Sequence, residues 1–147
     1  MPIRPMQASD LPTIAELDRL CYPFPWTLNN FADSMRAGYR CCVLEELHHI
    51  RAYAILMAVL DEIHLLNLTV APPWQGLGYG QAMLNRLIMC AKAEGYSTMW
   101  LEVRPSNEAA CHIYHTHAFA QVGVRKNYYP AQQGRENAYI LVRDLTC

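Results

Sequence analysis

The chain predicts a mixed α/β fold in a single domain, residues 1–147, and three observations predict it. Short runs of apolar and β-branched residues alternate with stretches whose apolar positions recur at helical spacing. A glycine-dense loop, Gln75-Gly76-Leu77-Gly78-Tyr79-Gly80-Gln81, separates one strand-like run from one helix-like run. At 147 residues and 52% hydrophobic content, the chain is long enough to bury one real core and too short for two comfortable domains.

In order, residues 3–6 read as a first strand. Residues 10–22 read as a helix, with Ser9 or Asp10 as its cap and Pro12 in the first turn, where a missing N–H is harmless. Pro23 and Pro25 stop it, and Thr27 caps a second, shorter helix that runs to Met35. Residues 40–45 and 51–60 are two strands joined by a polar turn. The run His64-Leu65-Leu66-Asn67-Leu68-Thr69-Val70 ends in β-branched residues and is closed by Pro72-Pro73, which favours a buried strand over a helix. Beyond the glycine loop, Met83, Leu84, Leu87, Ile88 and Ala91 share one helical face, and Gly95 supplies the left-handed stop. Residues 98–103 form a strand, 107–117 a helix, and 120–128 and 138–145 a terminal pair of strands.

The glycine loop is the most informative segment. Glycines let the main chain turn tightly with no side chain in the way, so successive N–H groups at the start of the following helix can converge on an anion. A pyrophosphate is the expected ligand.

Composition excludes several classes. Twelve basic against thirteen acidic residues give a net charge of −1, which provides no positive field for a nucleic-acid backbone. The longest apolar stretch, residues 52–60, is far below the roughly 20 residues that a bilayer helix requires. The first residues lack the apolar core of a secretion signal, and the six cysteines have no paired spacing, so a reducing cytoplasm is expected. Cys41 and Cys42, adjacent in a strand, point to opposite faces and do not bridge.

Two residues carry chemistry. Glu102, in Trp100-Leu101-Glu102-Val103, sits in a strand that is otherwise apolar, where desolvation raises a carboxylate's pKa and makes it a better proton acceptor; the alternative is a strand-end glutamate facing water or paired with Arg104. Tyr114 lies one turn from Ala110 on the helix 107–117, either offering its hydroxyl to a ligand or packing in the core. The aromatic-proline segments Tyr22-Pro23-Phe24-Pro25-Trp26 and Asn127-Tyr128-Tyr129-Pro130 read either as walls of a peptide groove or as rigid covers of the core. Cys90 and Cys111 lack a base and an orienting partner and read as packing, not as nucleophiles. Cys111, His112, His115 and His117 read as a polar helical face, so no metal is expected. The loop also imitates a dinucleotide fingerprint, but Gly76, Gly78 and Gly80 do not have its spacing.

Taken together, the loop, Phe24-Pro25-Trp26, Trp100-Leu101-Glu102-Val103-Arg104, Ser106-Asn107, Tyr114, Asn127-Tyr128-Tyr129-Pro130 and Gly134-Arg135-Glu136 resemble the GNAT superfamily of acyl-CoA-dependent N-acetyltransferases. Within it, they are similar to the bacterial ribosomal-protein-alanine N-acetyltransferases over nearly the whole chain. The resemblance implies a mixed, mostly antiparallel sheet of about seven strands. It implies that main-chain groups of Leu68, Thr69 and Val70 hold the pantetheine arm and acetyl carbonyl of acetyl-CoA, that Gly76, Leu77, Gly78, Tyr79, Gly80 and Gln81 hold the pyrophosphate, and that Asn107 bonds the cofactor arm. Glu102 would accept the amine's proton and Tyr114 would protonate the departing thiolate. Phe24, Trp26, Tyr128 and Tyr129 would receive the acceptor, the N-terminal alanine of a small-subunit ribosomal protein. The chain departs from the pattern at Gly76, where relatives often carry arginine, and at Gln81, so the loop has no basic side chain of its own. A non-catalytic acetyl-CoA-binding module and a different amine acceptor are the alternatives.

Overall fold

The computed structural model describes residues 2–146. Seven strands form one sheet: β1 (Ile3–Pro5), β2 (Arg40–Glu46), β3 (His49–Val59), β4 (Glu62–Val70), β5 (Thr98–Val103), β6 (Ala120–Pro130) and β7 (Arg135–Asp144), in the order β1-β2-β3-β4-β5-β7-β6. The helices are α1 (Leu11–Cys21), α2 (Leu28–Arg36), α3 (Tyr79–Ala93) and α4 (Glu108–Thr116). The β4–β5 pair is parallel, with Glu62, Ile63 and His64 opposite Thr98, Met99 and Trp100, whereas β1–β2, β2–β3, β5–β7 and β6–β7 are antiparallel. A doubly wound dinucleotide fold needs a largely parallel sheet, so that reading is excluded.

Contacts divide the chain into two units. One comprises the described residues up to Ala58 together with Leu65–Arg86; the other comprises Val59–His64 and the described residues from Leu87 onward. In the first, α1 and α2 lay Leu11, Ile14 and Phe31 against Val43, Tyr53 and Ile55 of β2 and β3. Phe31 meets Tyr53 edge to face at 5.8 Å, an arrangement that suits the aromatic quadrupoles. In the second, Met99, Leu101 and Val103 alternate inward along β5 while Trp100 and Glu102 share the opposite face, as a period of two demands. Tyr114 and Phe119 close the α4 end in an edge contact at 5.5 Å.

Local chemistry sets the boundaries. Thr27 Oγ1 accepts the Asn30 amide at 3.1 Å and Asn30 returns the favour to the Thr27 amide at 2.9 Å, a reciprocal cap that starts α2 as expected. Gly95, at φ +87°, ends α3 with its own N–H on the Lys92 carbonyl and that of Tyr96 on the Ala91 carbonyl, so two orphan carbonyls are satisfied. One expectation is corrected: neither Ser9 nor Asp10 caps α1 through its side chain. A 3-10 turn over Ala8–Asp10 precedes the helix, and Asp10 instead takes the Gln7 amide and two guanidinium bonds from Arg4 at 2.8 and 3.0 Å. Charge-assisted bonds to arginine outcompete a neutral cap.

Candidate functional site

β4 delivers the chain to Val70, and the Pro72–Trp74 3-10 turn then leads into the glycine loop. Gly76 and Gly78 stand at φ +76° and +89°, a region that costs an L-residue strain, and a Cβ built on either would meet nothing within 4 Å. The loop is therefore bent by backbone freedom and its face is open. Gly80 lies inside the first turn of α3, where the leading amides have no carbonyl of their own helix to bond. The dipole of a 15-residue helix adds partial positive charge at that end.

The loop is braced from β3. Arg51 bonds the Tyr79 hydroxyl at 2.5 Å and lies 3.4 Å from Glu46, while its guanidinium stacks over the Trp74 ring at 5.0 Å. The Tyr79 hydroxyl donates to Glu46 at 3.1 Å. Tyr79 thus uses its side chain to anchor the loop, leaving the loop's main chain as the group that can face a ligand. Sequence reading missed Arg51 because it lies 25 positions upstream of Gly76, and only the β3–β4 geometry brings it to the loop.

On β4, Thr69 is buried and its hydroxyl donates to Asn67 Oδ1 at 2.7 Å; Leu68 and Val70 are half-buried. On α1 and after it, Phe24 is 43% exposed, but Trp26 is half-buried and tilted against Phe31 at 5.1 Å, so its ring belongs largely to the core.

Glu102 occupies a polar cluster that its own strand did not advertise. Its Oε1 is 2.5 Å from His64 Nε2, and its Oε2 is 3.7 Å from Arg125. The Tyr128 hydroxyl also bonds the carboxylate. The His64 ring lies flat on Trp100, centroids 3.6 Å apart, because those residues are opposite one another in the parallel β4–β5 ladder. The expected rise in the Glu102 pKa is corrected. Burial does push it up, but the bonds from His64 and Tyr128 and the charges of His64 and Arg125 together hold it below the ordinary carboxylate value. Glu102 does not pair with Arg104, which bonds Glu136 at 3.1 Å and the Pro130 carbonyl at 2.9 Å.

Arg104 organises the β6–β7 hairpin. Its guanidinium lies 4.3 Å over the Tyr129 ring, and Glu136 also accepts the Ser106 amide and hydroxyl at 2.9 Å each. Tyr128, 41% exposed, meets Tyr129 edge on at 4.8 Å. Glu102, Tyr128 and Tyr129 are thus brought together. Tyr114 is buried on α4, and Asn107 caps that helix, its Oδ1 taking the Ala110 amide at 3.2 Å. The Cys111 thiol donates to the Arg104 carbonyl at 3.6 Å, and burial pushes its pKa up, away from a nucleophilic thiolate. Among the described residues, no group of three or more His, Cys, Asp or Glu could hold a metal ion, and no helix is long and apolar enough to cross a membrane.

Strand, open glycine loop and helix follow one another in a mixed sheet, and comparison with known families says what class of protein this arrangement belongs to. Residues 11–119 match the acetyltransferase (GNAT) family, and the chain belongs to it. More particularly, it is 37% identical over 139 residues to the [ribosomal protein bS18]-alanine N-acetyltransferase of Escherichia coli K12, covering 95% of this chain and 94% of that one. The enzyme of the same name from Haemophilus ducreyi is 39% identical over 133 residues, covering 90% and 92%. The crystal structure of the Escherichia coli ribosomal-protein-S18-alanine N-acetyltransferase superposes with a TM-score of 0.92 at 36% identity, covering 98% and 93%. A Salmonella typhimurium protein solved with its cofactor acetyl-CoA shares the fold, with a TM-score of 0.79 at 21% identity, covering 99% and 94%.

Proposed function

We propose that this protein, as one acetyltransferase domain over residues 1–147, transfers the acetyl group of acetyl-CoA to the α-amino group of an N-terminal alanine, that of ribosomal protein bS18. The observation that supports this most is the open loop with Gly76 and Gly78 at positive φ against the start of α3, in a chain whose relatives act on bS18. A cytoplasmic location accords with such an acceptor and with the free thiols of the described cysteines.

Bound acetyl-CoA supplies the activated acyl carbon. Main-chain groups of Leu68, Thr69 and Val70 take the pantetheine arm and acetyl carbonyl, amides from Gly76 to Gln81 take the pyrophosphate, and Asn107 bonds the arm. Fixed N–H donors near Thr69 and Val70 stabilise the oxyanion without reorganising. The acceptor's α-amine has an ordinary pKa of about 7.7–8.0 and is mostly protonated at neutral pH, so a base is needed. Glu102 takes that proton through water, with Tyr128 beside it, and Tyr114 returns a proton to the thiolate. Phe24 and Tyr128, the more exposed aromatics of the two segments, contact the peptide, with Trp26 and Tyr129 backing them. Transfer is direct: Cys90 and Cys111 lie in helices without a base and an orienting partner, and the Cys111 thiol is turned to the Arg104 carbonyl.

Glu102→Gln and Tyr114→Phe are each expected to lower kcat about 100-fold while leaving acetyl-CoA affinity nearly unchanged, as read by steady-state kinetics and calorimetry. Wild-type turnover in either variant rejects its role. Acetyl-CoA binding with no acetyl transfer to any amine would favour a binding module.

A further inference from the structure

Asp18, on α1, is fully buried, and the three groups that bond its carboxylate all donate. Oδ2 takes the Trp26 main-chain N–H at 2.7 Å; Oδ1 takes the Tyr53 hydroxyl at 2.7 Å and the Asn67 side-chain amide at 3.2 Å. The direction of donation continues outward. Asn67 turns its NH₂ to Asp18, so its Oδ1 accepts the Thr69 hydroxyl at 2.7 Å; with that proton spent, the Tyr22 hydroxyl must donate to Thr69 Oγ1, also at 2.7 Å. One carboxylate is thus the sink of a hydrogen-bond chain that reaches the aromatic-proline segment on one arm and the end of β4 on the other.

A buried carboxylate is costlier than an apolar side chain of the same shape unless its bonds fix something specific. In Pro23-Phe24-Pro25-Trp26 the prolines have no N–H, so only Phe24 and Trp26 offer main-chain donors, and Asp18 takes one of those two. We propose that Asp18 is a positioning residue for acceptor recognition: it pins residues 22–26 in the conformation that presents Phe24 to the incoming peptide. This rests on the reading that the segment contacts the acceptor.

The test is steady-state kinetics with a peptide beginning in alanine. Asp18→Ala is expected to raise the peptide KM about tenfold, with kcat at saturating peptide and the acetyl-CoA KM changed by less than about threefold. Asp18→Asn is expected to recover most of that KM: its carboxamide oxygen still accepts the Trp26 N–H, while its NH₂ donates to an inverted Asn67 amide and the Tyr53 oxygen. Tyr53→Phe, which removes a bond without touching the segment, is expected to lower the melting temperature and leave the peptide KM in place. An unchanged peptide KM in Asp18→Ala, or no recovery in Asp18→Asn, overturns the proposal. If Asp18→Ala does not fold, hydrogen exchange of the wild-type Trp26 amide decides. Protection of about tenfold or more over an unstructured chain supports the pin, and none overturns it. Phe24→Ala separates the two claims. A peptide KM that it does not move rejects the acceptor reading itself; a KM that rises there but not in Asp18→Ala rejects only the role of Asp18.

Discussion

Glu102 shows how a residue's neighbours decide its chemistry. Because His64, Tyr128 and Arg125 outweigh burial, its carboxylate stays ionised across the neutral range and is a ready but weak base. The pH dependence of kcat/KM is then set by the acceptor: it should rise with a midpoint of about 7.7–8.0, where the α-amine loses its proton, and any limb from Glu102 should lie below its ordinary 4.5. A midpoint near 6 would mean that another enzyme group governs the proton. Asp10 offers the matching stability test. The bonds from Arg4 hold its pKa below the ordinary 3.8, so its stabilisation is complete above that value and is lost as pH falls through the folded one. Arg4→Ala should cost about 1–2 kcal/mol at pH 7, measured by urea unfolding, and the gap from wild type should close below about pH 4. A gap independent of pH would show that the pair contributes through packing alone.

At the scale of elements, the glycine loop is a device of backbone conformation. Gly78→Ala meets no steric obstacle, so its cost is the left-handed φ alone, about 1–2 kcal/mol. It should lower the melting temperature and weaken coenzyme A binding measured by calorimetry; unchanged affinity would mean that the loop's bend is not what holds the pyrophosphate. This loop, α3 with its Gly95 stop, the Thr27 cap and the whole of β5 were legible in the sequence because each depends on residues within a turn or two. What was not legible depends on register. His64 meets Glu102 only because β4 and β5 pair in parallel with His64 opposite Trp100, and Arg51 meets the loop only through β3. The Asp10 cap failed for a local reason: Arg4, six residues before it, takes its carboxylate. The terminal strands were drawn too short, since 129–130 and 135–137 carry the turn-like Pro130 and Asn137 and flank Gly134, yet pair as Tyr129↔Glu136 and Pro130↔Arg135.

For the whole molecule, the family fold carries the acetyl-CoA chemistry, and under the proposed function the aromatic segments are what would select the acceptor. Alanine-first specificity would follow from Phe24, Tyr128 and Tyr129 set on braced segments, the first by Asp18 and the others by Arg104 and Glu136. The central claim, transfer to a terminal α-amine, is tested most directly by incubating the protein with acetyl-CoA and peptides that differ only in their first residue, then locating the added group by fragment mass spectrometry. One acetyl group on the α-nitrogen of the alanine peptide, and none on lysine side chains, is the predicted result. Acetylation confined to lysine side chains, or indifferent to the first residue, would contradict it.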